Sequence, residues 1–232
     1  ENPSATENLL AQLEKQGINA KVDFSLLREL QGLIHKTKGN LTVAVRDNNE
    51  VVALYPQGKQ QIIGAAIDIG SSTLALYIYD LQNGSLLYES SAMNPQIRYG
   101  EDLMSRVSYV MMNKDGDKKL TRAVRTKITE MLHEACGILE LQWDKLLEIV
   151  LVGNPIMHHI FFGISPVELG RAPFTAATRS WLDVDAKDLS FDLYSKTRIS
   201  FLPLIAGHVG ADTAAAYLSQ MHIMHSQTTL LV

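Results

Sequence analysis

A short turn of Asp, Gly, Ser and Thr residues carries the clearest chemical signal in this 232-residue sequence. The turn at residues 68–73 reads DIGSST and separates the apolar residues 62–69 from a second β-rich run at 74–79, which predicts a β-hairpin. Its tip would expose N–H groups and hydroxyls that suit an anion, and Gly70 permits close approach and an unusual backbone conformation. Asp68 stands where an oxygen could hold a Mg²⁺-bound water. The turn indicates a phosphate-binding loop, with an ordinary polar hairpin as the alternative.

A second candidate is the junction between a strand and a helix. Gly153 and Asn154 follow the apolar run 148–152, and Pro155 then begins a predicted helix. The carboxyl ends of strands are where α/β folds bind ligands. The junction is therefore expected to face a cleft.

A third candidate is the glycine- and alanine-rich stretch at residues 207–216, which predicts a turn that opens a helix. Gly210 and its small neighbours would let that helix approach another backbone closely. Asp212 falls in the first helical turn. It could stabilise the helix N-terminus or face a Mg²⁺–nucleotide, and the sequence leaves both alternatives open.

The histidines and the cysteine offer less chemistry. His158 and His159 are adjacent on a predicted helix, so their side chains are expected to point in different directions. His222 and His225 have better spacing but no third ligand nearby. We interpret all four as structural or surface residues. Cys136 is expected to be a small packed side chain on a long amphipathic helix, which is predicted over residues 120–141.

Hydrophobic periodicity predicts the elements that position these residues. Apolar or β-rich runs predict five strands, at residues 62–69, 74–79, 86–91, 148–152 and 199–204. Helices are predicted between the third and fourth strands, after the fourth and after the fifth. This order predicts an α/β, ribonuclease-H-like lobe, the first half of the actin, hexokinase and Hsp70 ATPase architecture.

The domain organisation follows from the same patterns. Residues 1–57 predict a small α+β domain of two helices and two strands, and the polar residues 58–61 a linker. The lobe is predicted over 62–226, with an irregular insertion at 163–198. An apolar run begins at Thr228, and residues 227–232 would start a second lobe, so we expect the sequence to stop short of the complete protein.

The composition is that of an ordinary globular protein, with 46% hydrophobic and 20% charged residues. A net charge of −4 and the lack of a Lys/Arg run argue against nucleic acid as a partner. No apolar run approaches the ~18 residues of a membrane span, and no signal peptide is visible. The single cysteine makes no internal disulfide, so a cytoplasmic setting is expected.

Several phrases of this sequence resemble one family of the superfamily, the reductive activators of corrinoid-dependent enzymes. The phrases are AIDIGSST, NPQIRYGEDLMSR, EIVLVGNPIMHHIFFG, RAPF and FLPLIAGHVGADTAAA, in that order between residues 66 and 216. The residues before them resemble the family's middle domain. The resemblance thus covers nearly the whole chain.

The resemblance implies an ATP site with Mg²⁺. The cofactor-binding positions it implies are Asp68, Gly70, Ser71, Ser72, Thr73, Gly153, Asn154, Gly210, Asp212 and Thr213. Asp68 would also orient the metal-bound water. No catalytic residue is assigned, because a second phosphate loop and an adenosine pocket are missing from this sequence.

The resemblance also implies a function for the complete protein. Such an enzyme carries a [2Fe–2S] cluster, which here would lie outside the segment, and gives an electron to inactive cob(II)alamin on a partner corrinoid protein. Cob(I)alamin is restored, and ATP makes the uphill transfer possible. We expect the segment alone to hydrolyse no ATP and transfer no electron. Which corrinoid protein is activated, and whether the activator is a homodimer, stay open.

Two other functions remain open for the same fold. A small-molecule kinase would need a catalytic base and substrate-binding residues, and the sequence shows no persuasive set. An actin-like scaffold would use the nucleotide only to set its conformation.

Overall fold

The computed structural model describes residues 2–58, 60–191 and 193–220. The chain divides into two compact units, Glu1–Gln61 and Ile62–Val232. The predicted start of a second lobe, together with His222 and His225, lies outside the described residues.

The first unit combines two helices with a three-stranded sheet. Its elements are α1 (Ala5–Glu14), β1 (Lys21–Val22), α2 (Phe24–Thr37), β2 (Leu41–Arg46) and β3 (Glu50–Pro56). Ser4 begins α1 with a reciprocal capping box, and Asp23 caps α2. The strand order is β1-β3-β2, with β1 parallel and β2 antiparallel to β3. The two-residue β1 was not predicted, because it is too short to show a period.

The second unit is built on a six-stranded sheet. Its strands are β4 (Ile63–Ile69), β5 (Thr73–Asp80), β6 (Leu86–Met93), β7 (Leu146–Gly153), β8 (Leu182–Asp185) and β9 (Arg198–Phe201). Its helices are α3 (Leu103–Met112), α4 (Gly116–Ile138), α5 (Pro155–Phe162) and α6 (Ala211–Gln220).

The strand order β6-β5-β4-β7-β9-β8 confirms the predicted ribonuclease-H-like fold. β4, β5 and β6 form an antiparallel meander, and β7 and β9 then continue the sheet parallel to β4. The sixth strand, β8, pairs antiparallel with β9 at the edge of the sheet, inside the predicted irregular insertion. Its four residues are too few to show a strand pattern in the sequence.

The two faces of the sheet differ in burial because successive side chains of a strand alternate between them. On β4, Ile63, Ile67 and Ile69 are buried in the core, which also contains apolar residues of α4 and α5. The side chains between them are small, except for Asp68, which is exposed. An apolar strand thus presents one carboxylate on its open face, next to the turn that follows.

α4 begins at Gly116, earlier than the predicted start at residue 120. The charged residues before position 120 hid this first turn, because they lie on its exposed side; Lys118 bonds to Asp115 at 2.8 Å. Within the described residues, no helix is both long and apolar enough to cross a membrane.

Candidate functional site

Three turns that the sequence singled out meet at one end of the large sheet. β4 and β7 are parallel and in register, with Ile69 opposite Gly153, so the turns that follow them leave the sheet side by side. The turn after β9 joins them at Gly210, where an added Cβ would come within 2.5 Å of Asn154 Cα. The structure therefore brings the three candidates together at the carboxyl ends of parallel strands.

The first turn, which we call the hairpin tip (residues 70–72), leaves backbone amides unpaired. The amide of Gly70 donates to the carbonyl of Thr73 at 3.0 Å and closes the turn. No described residue accepts a hydrogen bond from the amides of Ser71 and Ser72. Ser72 and Thr73 are exposed. Unpaired amides and hydroxyls at a tight turn can bind an anion such as a phosphate.

Space, and not backbone conformation, requires glycine at position 70. A Cβ there would come within 2.7 Å of the Thr73 carbonyl oxygen. The φ angle of Gly70 is outside the left-handed region, so the close approach, and not a left-handed backbone, accounts for the glycine. Gly153 is constrained in the same way, since its Cβ would lie 2.9 Å from the carbonyl oxygen of Ile69.

Buried polar side chains that the sequence did not assign hold the carbonyl groups of the hairpin tip. Asn94 donates from Nδ2 to the carbonyl of Gly70 and from its backbone amide to that of Ser72, both at 2.8 Å. Arg106 donates from Nη2 to the carbonyl of Ser71. Asn94 and Arg106 are both fully buried. All three carbonyls are thus paired within the protein, while the amides of Ser71 and Ser72 are not.

Two carboxylates from different turns interact at this site. Asp68 is exposed at the end of β4, and Asp212 lies in the first turn of α6, where it accepts a hydrogen bond from the amide of Thr213 at 2.7 Å. Partial desolvation raises the pKa of Asp68, and the negative charge of Asp212 raises it further. Asp212 thus occupies the start of the helix and is close enough to Asp68 to raise its pKa, and a role towards a Mg²⁺–nucleotide stays a prediction.

This donor set fits Mg²⁺. Magnesium binds hard oxygen ligands, often one or two carboxylates together with phosphate oxygens and waters. Asp68 and Asp212 supply two carboxylates, and a cation would relieve the repulsion that raises the pKa of Asp68. Within the described residues, no group of three or more His, Cys, Asp or Glu side chains could hold a metal without such added ligands.

Asn154 also has a structural task. Its Oδ1 accepts a hydrogen bond from the amide of Met157 at 3.0 Å and caps α5, whose first residue is Pro155. The side chain is thereby fixed at the edge of the site. Its Nδ2 group takes no part in this cap and could donate a hydrogen bond to a ligand.

His158 and His159 are buried, and their rings are within hydrogen-bonding distance of each other. Their Nδ1 atoms are 3.2 Å apart, so the expectation that the adjacent rings diverge is wrong. The Nε2 of His159 accepts a hydrogen bond from the amide of Ala177 at 2.9 Å, which places its proton on Nδ1, 2.9 Å from the carbonyl oxygen of Pro155. Burial, and then the neighbouring His159, lower the pKa of His158 to about 4. These contacts fit the predicted structural role.

Cys136 is buried on α4, as predicted, and burial raises the pKa of its thiol. A thiol with a raised pKa is a poor nucleophile and a poor metal ligand at neutral pH. The residue is part of the hydrophobic core.

Comparison with known proteins finds matches among the reductive activators that the sequence resembles. The family described as the RACo middle region matches residues 63–225, and the one described as the RACo linker region matches residues 1–61. The chain therefore belongs to the RACo family. The description "linker" covers the residues for which the resemblance implied a middle domain.

Two relatives give the extent of the match. The corrinoid activation enzyme RamQ of Eubacterium limosum is 28% identical over 213 residues, which are 91% of this chain and 36% of RamQ. A solved structure of a reductive activator for a corrinoid, iron-sulfur protein aligns with a TM-score of 0.85 and 26% identity, over 97% of this chain and 37% of that chain. The chain thus spans little more than a third of the length of either relative.

Proposed function

We propose that the second unit is one wall of a Mg²⁺–ATP cleft in a reductive activator of a corrinoid protein. The observation that carries this proposal is the meeting of three turns at one sheet end, with unpaired amides on the hairpin tip and Asp68 beside Asp212. Membership in the RACo family supports the choice of a corrinoid protein as the partner.

Each residue of the site has a proposed role. The amides and hydroxyls of Ser71, Ser72 and Thr73 bind phosphate oxygens, and Gly70 lets them approach. Asp68 would hold Mg²⁺ through a water, and the cation would supply positive charge that neutralises the phosphates. Asp212 adds a second carboxylate, fixed at the start of α6 next to Thr213. Gly153, Asn154 and Gly210 form the adjoining part of the wall.

This segment does not fit an iron–sulfur cluster. A [2Fe–2S] cluster of this type takes four cysteine thiolates, and the sequence has only Cys136, which is buried in the core. We therefore derive no electron-transfer step from these residues. The electron that reduces cob(II)alamin to cob(I)alamin is proposed to come from a cluster elsewhere in the complete protein.

The proposed contribution of the segment is conformational. A nucleotide can shift an unfavourable equilibrium only by binding two conformations with different affinities. A cleft between two lobes provides such states by opening and closing, with hinges at the connection between the lobes. Residues 207–216 are proposed to be part of that connection. ATP binding at the hairpin tip and at Asp212 would then favour the closed state.

Titration of Mg²⁺–ATP into the complete activator tests the proposal. Asp68→Asn removes the carboxylate that would orient the metal-bound water, so we expect affinity to fall at least tenfold. Glu89→Gln, which replaces an exposed carboxylate on β6, is the control and should leave affinity unchanged. Absence of ATP binding by the unmodified protein, or equal affinity in Asp68→Asn, would contradict the proposed site.

A further inference from the structure

Arg106 is a fully buried cation directly behind the hairpin tip. Besides its bond to the Ser71 carbonyl, Nε donates to the carbonyl of Gly100 at 3.0 Å, and Nη1 lies 3.2 Å from Gln96 Oε1 and 3.4 Å from Met157 Sδ. The guanidinium is therefore fixed by four residues from three different parts of the chain. Its position relative to the hairpin tip is set by the fold.

These hydrogen bonds leave the positive charge of Arg106 without a direct acidic partner. Its acceptors among the described residues are carbonyl and amide oxygens and one thioether sulfur. Asp102 acts on it through space, but that carboxylate is solvent-exposed and caps α3 through the amide of Ser105. Burying a cation without a paired anion is unfavourable. A buried cation of this kind is suited to stabilise an anionic ligand that binds at the neighbouring hairpin tip.

The buried residues that contact Arg106 are themselves hydrogen-bonded within the protein. Gln96 is buried, and its Nε2 donates to the Leu120 carbonyl at 3.0 Å. Its backbone amide donates to Asn94 Oδ1 at 3.0 Å. The hairpin tip is thus tied through Asn94 and Arg106 to α4 and, through Met157, to α5. A loop held in this way is organised before any ligand binds.

We propose that Arg106 is a positioning residue for a polyphosphate ligand. It fixes the Ser71 carbonyl on the inner side, which leaves the Ser71 and Ser72 amides free for phosphate oxygens, and it places a positive charge behind them. It does not touch the ligand. This inference rests on the proposed nucleotide site and adds that Arg106 supports recognition of the phosphates and not of the nucleoside.

The chain offers a matched control in Arg125. This arginine of α4 is partly buried and also donates to two carbonyl groups, those of Phe161 at 2.8 Å and Leu189 at 2.7 Å. Burial lowers the pKa of both arginines. Arg125 makes no hydrogen bond to the hairpin tip. Replacing it should therefore disturb packing without changing the phosphate site.

The test measures the affinity of the complete activator for Mg²⁺–ATP and for adenosine, after circular dichroism has checked the fold of each variant. Arg106→Gln keeps a hydrogen-bond donor and removes the charge, so ATP affinity should fall at least tenfold while adenosine affinity changes less than twofold. Arg106→Lys keeps the charge, so its ATP affinity should fall only about threefold and its adenosine affinity should not change. Arg125→Gln should bind both ligands as the unmodified protein does.

Three results would overturn the inference. The first is unchanged ATP affinity in Arg106→Gln, and the second is an equal loss for ATP and adenosine. The third applies if Arg106→Gln does not fold. In that case an Arg106→Lys variant with unchanged ATP affinity, or with equally reduced affinity for ATP and adenosine, overturns the inference. An unmodified protein that binds no ATP would instead overturn the proposed function itself, and this inference with it.

Discussion

The hairpin tip and the turn after β9 lie side by side at the candidate site, yet they are stabilised in different ways. We call residues 205–210 the connecting turn. The hairpin tip is held by fully buried polar side chains, Asn94 and Arg106. The connecting turn is closed by its own backbone, with the amides of Ile205 and Ala206 donating to the Val209 carbonyl at 3.1 and 3.0 Å.

Glycines, and not side-chain hydrogen bonds, fit the connecting turn to its neighbours. A Cβ on Gly207 would collide with the carbonyl of Phe174, and one on Gly210 would collide with Asn154. Contacts of this kind depend on shape and can be broken without leaving a buried polar group unpaired. This difference agrees with the roles proposed above, a fixed phosphate loop for the hairpin tip and a hinge for the connecting turn.

The largest expected difference between the two regions is their response to acid. His158 packs against Phe201 of β9, the strand before the connecting turn, and its pKa is lowered to about 4. The unfolded chain binds this proton below pH ~6.5, so stability is intact above that pH and falls towards pH 4. The loss should reach about 3 kcal/mol for this one group.

Urea unfolding followed by tryptophan fluorescence measures this loss, since both tryptophans, at positions 143 and 181, belong to the second unit. His158→Leu should remove about 3 kcal/mol of the change between pH 7 and pH 4. His133→Leu replaces an exposed histidine of α4 and should keep the original pH dependence. Parallel pH profiles for the unmodified protein and His158→Leu would show that the buried ring does not cause the acid sensitivity.

The next largest effect concerns the packing of the connecting turn. Gly210→Ala places a methyl group against the backbone of Asn154, so we expect a loss of about 1–3 kcal/mol from overpacking. Gly137→Ala on α4 is the control, because no atom lies within 4 Å of its added Cβ. That variant should gain about 0.5–1 kcal/mol, since alanine favours a helix over glycine. Equal unfolding free energies for the two variants would contradict the close contact at Gly210.

The smallest expected loss concerns the hairpin tip. Asn94→Ala leaves the Gly70 carbonyl unpaired and removes the acceptor of the Gln96 amide, which should cost about 1–2 kcal/mol. Asn154→Ala removes a helix cap beside the same site and should cost about 1 kcal/mol. Only Asn94→Ala should also speed hydrogen exchange at the amide of Gly70, which donates to the Thr73 carbonyl and closes the tip. Unchanged exchange there would mean that the tip does not depend on Asn94.

Local patterns in the sequence predicted most of the fold. Apolar runs and turn residues located five of the six described strands of the large sheet, and the candidate turns fell at the ends of β4 and β7 and after β9. β8 was missed because four residues give too short a pattern. The start of α4 was missed because its charged first turn is exposed and resembles a loop.

The buried side chains that hold the hairpin tip were harder to predict, because their contacts join residues far apart in the sequence. Asn94 is 24 positions from Gly70, and Arg106 is 35 positions from Ser71. Nothing in the spacing of these polar residues reveals that they are buried. The one available signal was the phrase NPQIRYGEDLMSR, which contains Asn94, Gln96 and Arg106 and served only for the family resemblance. The close approach of the His158 and His159 rings likewise depends on side-chain rotamers.

ATP-stimulated reduction of a corrinoid protein by the complete activator tests the central claim most directly. Formation of cob(I)alamin can be followed by its absorbance, with and without ATP, for the unmodified protein and for Asp212→Ala. We expect ATP to increase cob(I)alamin formation in the unmodified protein, and Asp212→Ala to lose most of that stimulation. Cobalt reduction that is independent of ATP, or equally stimulated in Asp212→Ala, would contradict the claim that this sheet end is one wall of a working nucleotide cleft.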